Sequence, residues 1–458
     1  MLVTITLVFF CLFIVFQVLY IFVPLYSSRK KEKTYPSVEK GISVLIPAYN
    51  ENLVIENCIS GLFQVSYGHM EIIFINDGST DLTLKTLQKL LLLNITEKVK
   101  TDTLSHEKVR KVYRSAIYPN IYVLDKANGG KADALNAGIC YASHDIIITL
   151  DADSVLDSQS LTEINRTFED DTIVAAGGLV HVLQGYHHNG NSFNPSFHAS
   201  NLIRFQVVRY LTGFYMNKTT QSTLNAMTVI AGAFGAFRKD VLFQAGGYRK
   251  TVGEDMDITL RIQELIGTIL KGKRIAFIPE AICYTECPAS LKSLYNQRIR
   301  WQKAFIDCII TFRKSLFRKM NFRVSLFLLF DSLILGTLSA YPVLFIPLIL
   351  LFTPNHLKLF LLLFSISFSI AILLHIATLL VSRRFAHHYR FREYLTIISF
   401  LPLEVLLYRL TEVVFVTFGT ILYFFNKDEW SRSDRIGKPI LLNRHMTIDL
   451  NDKREVKS

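Results

Sequence analysis

The sequence predicts a doubly wound α/β domain embedded between transmembrane α-helices, and three observations lead there. From residue 41 onward, short apolar runs alternate with stretches of helical spacing. Acidic residues stand directly after two of those runs. Long uncharged apolar stretches occupy the N-terminal edge and the last third of the 458 residues. With 50% hydrophobic residues and 19% charged, the chain has ample apolar surface to offset the entropy of ordering, which excludes disorder. The net charge of +12 gathers beside the apolar stretches, so it points to a lipid bilayer surface and not to nucleic acid.

Residues 2–26 carry no charge and are long enough to cross about 30 Å of hydrocarbon as a helix. A cleaved signal peptide needs a basic start, a shorter core and a small-residue cleavage site, so a retained anchor over 1–27 is expected. Arg29, Lys30, Lys31 and Lys33 follow, and the bias of basic residues to the cytoplasm puts the next segment inside. A second span is expected over 324–352, an outside turn over 353–356 and a returning span over 357–381. Arg383, Arg384, Arg390 and Arg392 lie at its end. Residues 394–425 exceed one span and hold Pro402, Glu404, Arg409 and Glu412. They read as an interfacial helix plus a span, or as a short hairpin. Their three charges are expected at the interface or along a polar path. A polar tail covers 426–458, and the protein is expected to be multi-pass in the plasma membrane.

The soluble part, 36–287, opens with an apolar strand over 42–46, a helix over 50–63 with Asn50 or Asn52 as cap, and a strand over 71–75. A helix over 81–93, a strand over 120–124, a helix over 131–141 and a strand over 145–150 follow. This alternation places ligands at the carboxyl ends of parallel strands. Residues 96–119 form a polar, basic insertion. Residues 288–323 read as amphipathic helices at the membrane surface.

The six cysteines show no paired spacing and read as reduced packing residues. The sequons at Asn94, Asn165 and Asn217 read as chance matches on the cytoplasmic side, and His187, His188 and His198 as a solvated loop.

Asp77 closes the second strand, and Asp151-Ala152-Asp153 closes the fourth. Two carboxylates around one residue at a strand end suit a hard divalent cation that also grips phosphate oxygens. Gln297, Arg300 and Trp301 share one face of a helix by their spacing of three and four.

Six motifs in order carry a resemblance. They are Ile46-Pro47-Ala48-Tyr49-Asn50-Glu51, Asn76-Asp77-Gly78-Ser79-Thr80-Asp81 and Asn128-Gly129-Gly130-Lys131-Ala132-Asp133-Ala134-Leu135-Asn136. Asp151-Ala152-Asp153, Gly253-Glu254-Asp255-Met256-Asp257 and Gln297-Arg298-Ile299-Arg300-Trp301 complete the series. The chain resembles membrane-bound, processive family 2 glycosyltransferases with a GT-A domain. Relatives of that kind include the synthases of cellulose, mixed-linkage β-glucan, hyaluronan, chitin and poly-N-acetylglucosamine.

The resemblance implies an inverting transferase that polymerises a β-linked extracellular polysaccharide from UDP-glucose or UDP-N-acetylglucosamine and extrudes it across the membrane. It implies that Tyr49 and Glu51 line the nucleoside pocket, Asp77 accepts the uracil N–H, Lys131 lies near phosphates or ribose, and Asp151 seats the nucleotide. Asp153 would bind Mg2+ or Mn2+, and Asp255 would be the general base. Glu254, Gln297, Arg300 and Trp301 would hold acceptor and diphosphate, and residues 231–237 would border the acceptor sugar. Partners implied are the UDP-sugar, the growing glycan and accessory secretion proteins. Two departures stand out: Gln302-Lys303-Ala304-Phe305 replaces a segment where poly-N-acetylglucosamine synthases carry a Gly pair, and compact members lack the 96–119 insertion. The competing readings are a one-step transferase acting on a lipid carrier and a transporter with a degenerate nucleotide-binding domain.

Overall fold

The computed structural model describes residues 2–27, 38–101, 104–188, 192–338, 357–385 and 389–426. Its centre is a parallel core of β1 (Ile42–Ala48), β2 (Met70–Asp77), β5 (Ile121–Lys126) and β6 (Ile146–Leu150), in the order β5-β2-β1-β6. These strands are rich in Ile, Val and Leu and almost wholly buried, as strands covered on both faces must be. The chain first builds outward from β1 to β2 and β5, then crosses to the other side for β6. The reversal falls between β1 and β6, and a crevice forms there at the carboxyl ends. Pro47 lies beyond the last β1–β6 pair, Leu45 with Thr149, where no β6 partner remains for its missing N–H.

The expected doubly wound domain is present within a larger mixed sheet of ten strands. β8 (Ile173–Val182) and β12 (Arg274–Thr285) run parallel, and β11 (Phe234–Arg238) bridges β6 to β8 antiparallel to both. β7 (Ser154–Leu156) closes that edge. At the other edge lie β3 (Leu93–Ile95) and β4 (Val109–Ser115), both antiparallel. The 96–119 insertion is therefore partly sheet. Arg110, Lys111 and Arg114 are exposed on β4, which masks the apolar alternation that marks strands.

The expected helix over 50–63 is shorter, Ile55–Leu62, and its cap is Val54, not Asn50 or Asn52. Asn50 has φ 55° and reaches the neighbouring loop, where its Oδ1 accepts from Thr80 N at 2.7 Å and Asp81 N at 3.2 Å. Asn52 Oδ1 accepts from Thr86 Oγ1 at 2.6 Å. Both asparagines bind the two loops together instead of starting a helix.

Three described helices are long and apolar enough to cross a membrane: Leu7–Ser27, Leu357–Ser382 and Phe391–Phe425. Residues 324–338 are helical, while 339–356, the basic run 29–33 and the tail from 427 lie outside the described residues. Arg384 Nη1 donates to Leu25 O at 2.8 Å, so the C-terminal ends of the first two of those helices meet on one side. The hairpin alternative for 394–425 fails, because Phe391–Phe425 is continuously helical over 35 residues. At about 1.5 Å per residue it is longer than the hydrocarbon is thick. A π-helical stretch, Glu404–Tyr408, interrupts it.

Glu404 and Glu412 are both paired within the protein. His375 Nε2 and Glu404 Oε2 are 2.9 Å apart and both groups are buried. Arg209 pairs with Glu412 at 2.7 Å. Each carboxylate has a partner on another helix, as a charge in low-dielectric surroundings requires. The cysteines of the described chain are free, five of them buried. Asn165 is buried and its side chain bonds the backbone of Val38 and Lys40, so it is closed to glycan. His188 packs on Phe193 in the hairpin of β9 (Tyr186–His188) and β10 (Phe193–Pro195), so it is part of a ring contact and not free in solvent.

The helix Glu254–Thr268 ends against the turn that follows Leu291–Phe312. A Cβ at Gly267 would overlap the Lys319 carbonyl oxygen. Gly267→Ala should therefore lower stability by about 1–3 kcal/mol, the usual range for overpacking. Thermal unfolding of the purified protein in detergent checks this, and an unchanged melting temperature would contradict the packing.

Candidate active site

The crevice is built by three loops. β2 ends in Asp77, which is buried. Its Oδ1 accepts from Gly129 N at 3.0 Å and from Lys126 Nζ at 2.6 Å, and its Oδ2 accepts from Gly130 N at 2.8 Å. Gly130 has φ 93°, a conformation that glycine adopts at little cost. Gly78, at φ 69°, lies so close to Asn128 that a side chain there would collide with the Asn128 backbone. These contacts fix the loop 127–130 and the start of the helix Lys131–Tyr141.

Lys131 stands at that start. Its Nζ lies 2.6 Å from Asp151 Oδ1 and 3.3 Å from Glu254 Oε1. Burial alone would lower its pKa, but Asp151 and Glu254 outweigh burial and hold it well above the ordinary lysine value. The ammonium is thus positively charged and clamps the end of β6 to the start of Glu254–Thr268.

Asp153 is buried three residues past β6, with Ser154 Oγ and Thr285 Oγ1 each 3.4 Å from its Oδ1. Burial pushes the Cys58 thiol well up, and Asp153, Cys283, Asp151 and Glu51 add to the shift. Glu51 is buried and its N–H donates to Thr83 Oγ1 at 2.8 Å, while Tyr49 is exposed at the mouth of the crevice.

Asp255 is half-buried in the first turn of Glu254–Thr268, and Gly253, not an acidic side chain, occupies the cap position. Asp255 Oδ2 accepts from Gly232 N at 3.2 Å and Oδ1 from Met256 N at 2.7 Å. A recess lined by Lys131, Thr149, Gly232, Tyr248, Glu254 and Asp255 opens beside it. Gly232 belongs to the expected small-residue segment 231–237, and a side chain there would crowd Lys131 Nζ and Asp255. Asp257 points away. It is wholly buried and binds Arg249 at 2.5 Å and Arg261 at 2.9 Å, which makes it part of the scaffold.

Gln297, Arg300 and Trp301 lie on Leu291–Phe312, as the spacing predicts. Ser290 caps this helix, accepting from Ser293 N at 3.2 Å. Gln297 Oε1 is buried without a hydrogen bond, Arg300 is half-buried and Trp301 is 40% exposed. The helix touches the Asp255 turn through Ala304, whose Cβ occupies the space that a side chain at Gly253 would need.

Sequence reasoning missed Lys126. It closes β5 directly opposite Asp77 in the parallel register, is wholly buried, and pairs with Asp133 Oδ1 at 2.5 Å as well. A lysine ending an apolar strand beside one that ends in aspartate was the available signal. The insertion was missed too: Glu107 N donates to both carboxylate oxygens of Asp133, at 3.1 and 2.9 Å, so it braces the same loop.

A mixed α/β sheet with carboxylates and a lysine gathered at its switch point defines a nucleotide-sugar type of group-transfer fold. The sequence belongs to the family described as "Glycosyltransferase like family 2", whose signature matches residues 39–304, and the protein is a glycosyltransferase. It is 28% identical over 323 residues to the poly-beta-1,6-N-acetyl-D-glucosamine synthase of Staphylococcus aureus, covering 70% of this chain and 67% of the relative. The synthase of the same name from Staphylococcus epidermidis is 27% identical over 294 residues, 63% of this chain and 60% of the relative. Among solved structures, a mannosyltransferase from Pyrobaculum calidifontis in complex with GDP-Man and Mn2+ superposes with a TM-score of 0.53. That match has 14% identity and covers 92% of this chain and all of the neighbour, which supports the GT-A fold.

Lys126→Met should leave Asp77 and Asp133 without their buried cation. The expected loss is about 3–5 kcal/mol of stability, the scale for breaking one side of a buried ion pair. Thermal unfolding read with and without nucleoside diphosphate checks it, and a variant as stable as the parent would show the network to be dispensable.

Proposed function

We propose that this glycosyltransferase is processive and inverting, and that it polymerises a β-linked polysaccharide from a UDP-sugar on the cytoplasmic face of the plasma membrane. UDP-N-acetylglucosamine is the favoured donor, because the curated relatives are named for that sugar. The observation that carries the reading is the junction of Gly253 and Ala304. It ties the Asp255 turn to the helix of Gln297, Arg300 and Trp301, and Gln302 ties that helix to the membrane segments. A glycan made at Asp255 would emerge beside helices that can carry it outward, with accessory secretion proteins beyond.

In the reaction the acceptor hydroxyl oxygen attacks the anomeric carbon, Asp255 takes its proton, and the carbon–oxygen bond to UDP breaks. A single displacement turns an α-linked donor into a β-linked product. Tyr49, Glu51, Asp77 and Asp151 would seat the nucleotide. Lys131 and Arg300 would face the phosphates, with Glu254 setting Lys131. Gln297 and Trp301 would hold the acceptor sugar.

Asp153 and Asp151 fit a divalent cation by chemistry, being hard oxygen donors at one strand end. Among the described residues no three His, Cys, Asp or Glu side chains form a complete cage. The diphosphate and water must supply the other ligands to Mg2+ or Mn2+. When bound, the ion would offset charge on the departing UDP.

Two outcomes test this. Asp255→Asn should fold and bind UDP yet turn over about 10²-fold or more slowly, the scale of general-base catalysis. A near-normal rate would remove Asp255 as the base. The parent protein should elongate products in the presence of Mg2+ or Mn2+, stop on chelation and resume on adding the ion back. Full activity in chelator would remove the metal, and a single sugar added to lipid would favour the one-step transferase.

A further inference from the structure

Lys218 ends the π-helical turn Gly213–Lys218, which continues the helix Asn201–Thr212. A π turn holds an extra residue and re-aims the side chains beyond it, and such turns gather at functional sites. Lys218 is half-buried, and its Nζ donates to the Val229 carbonyl oxygen at 2.6 Å. Burial lowers its pKa to about 8, while Asp255 and Asp331 act to raise it, so both carboxylates lie near the ammonium. Asp331 belongs to the helical stretch Phe327–Leu338, and its Oδ2 accepts from the Tyr20 hydroxyl at 2.5 Å. Val229 opens a short segment that is fastened to the helix of Asp255. Ile230 N donates to Thr259 Oγ1 at 3.0 Å, and that hydroxyl donates to Asp255 O at 2.7 Å. Gly232 N donates to Asp255 Oδ2 at 3.2 Å. Residues 229–232 thus carry the N–H that orients the Asp255 carboxylate, and Lys218 holds their first carbonyl from a different element.

We infer that Lys218 is a positioning residue for Asp255. By holding the Val229 carbonyl it fixes the segment 229–232, and through Gly232 N it fixes the angle of the carboxylate that takes the acceptor proton. The inference rests on the proposed role of Asp255 as the base. It assigns to Lys218 no contact with either sugar and leaves the proton transfer with Asp255.

The test compares the parent, Lys218→Met, Lys218→Arg, Asp255→Asn and the double variant Lys218→Met with Asp255→Asn, all as full-length proteins in detergent. Release of UDP is measured with UDP-N-acetylglucosamine, or UDP-glucose if the parent prefers it, and a short β-linked oligosaccharide of the same sugar. Lys218→Met should bind UDP and melt as the parent does, because it replaces a charge whose burial is unfavourable. Its kcat should fall about 10-fold, on the scale that misplacing a catalytic group costs, with donor and acceptor KM unchanged. Lys218→Arg keeps a charged donor and should recover part of kcat. In the Asp255→Asn background the methionine should cost less than about 2-fold, because residues that act as a unit are not additive. A full loss in that background would place the action of Lys218 elsewhere and overturn the inference. So would parent-like kcat in Lys218→Met, a raised KM at unchanged kcat, or failure of Lys218→Met to fold, which would make the lysine structural. Should Asp255→Asn itself turn over near the parent rate, the base reading falls and the role of Lys218 falls with it. A slow Asp255→Asn beside a parent-like Lys218→Met removes Lys218 alone.

Discussion

The structure depends on one helix held from two sides. Leu291–Phe312 presses Ala304 against Gly253, where no side chain would fit, and Gln302 against Gly419, where again none would fit. On the first side lies the turn of Glu254 and Asp255. On the second lies the membrane helix that contains Thr420, and Gln302 Nε2 donates to Thr420 Oγ1 at 3.0 Å and to Thr337 Oγ1 at 3.1 Å. Tyr423 adds a bond to the buried Asp307 at 3.0 Å. Close-packed interfaces transmit displacement because they have no slack. A shift of the helix that contains Thr420 would therefore be felt at the turn of Glu254 and Asp255 as well.

The second constraint is charge. The carboxyl ends of β2 and β6 bring aspartates into a low-dielectric crevice, where each needs a partner. Lys126 answers Asp77 and Asp133, and Lys131 answers Asp151 and Glu254. The two lysines differ in kind. Lys126 is wholly buried and belongs to the frame, whereas Lys131 is about one-third exposed and its carboxylate partners face the crevice. A nucleotide diphosphate entering there would compete for a cation already held in place, so the site is organised before its ligand arrives.

The helices long and apolar enough to cross a membrane follow the same rule. Glu404 pairs with His375 and Glu412 with Arg209, which leaves apolar side chains on the exposed faces of these helices. Their partners come from distant parts of the sequence, so their pairing could not be read from local charge, and an interfacial position was the natural expectation.

Sequence by itself determined the alternation of strands and helices, the long apolar helices Leu7–Ser27 and Leu357–Ser382, and the strand-end positions of Asp77 and Asp151. It did so because apolar periodicity and strand-end acids are local properties. It also determined which side chains share the helical face of Gln297, Arg300 and Trp301. Only the tertiary structure decided that Asn50 bridges loops, that the basic insertion supplies a strand between β3 and β5 and braces Asp133, and that Lys126 neutralises Asp77. These facts arise from strand register and from contacts between residues far apart in the chain. Such contacts follow from how the sheet closes, which no window of sequence contains.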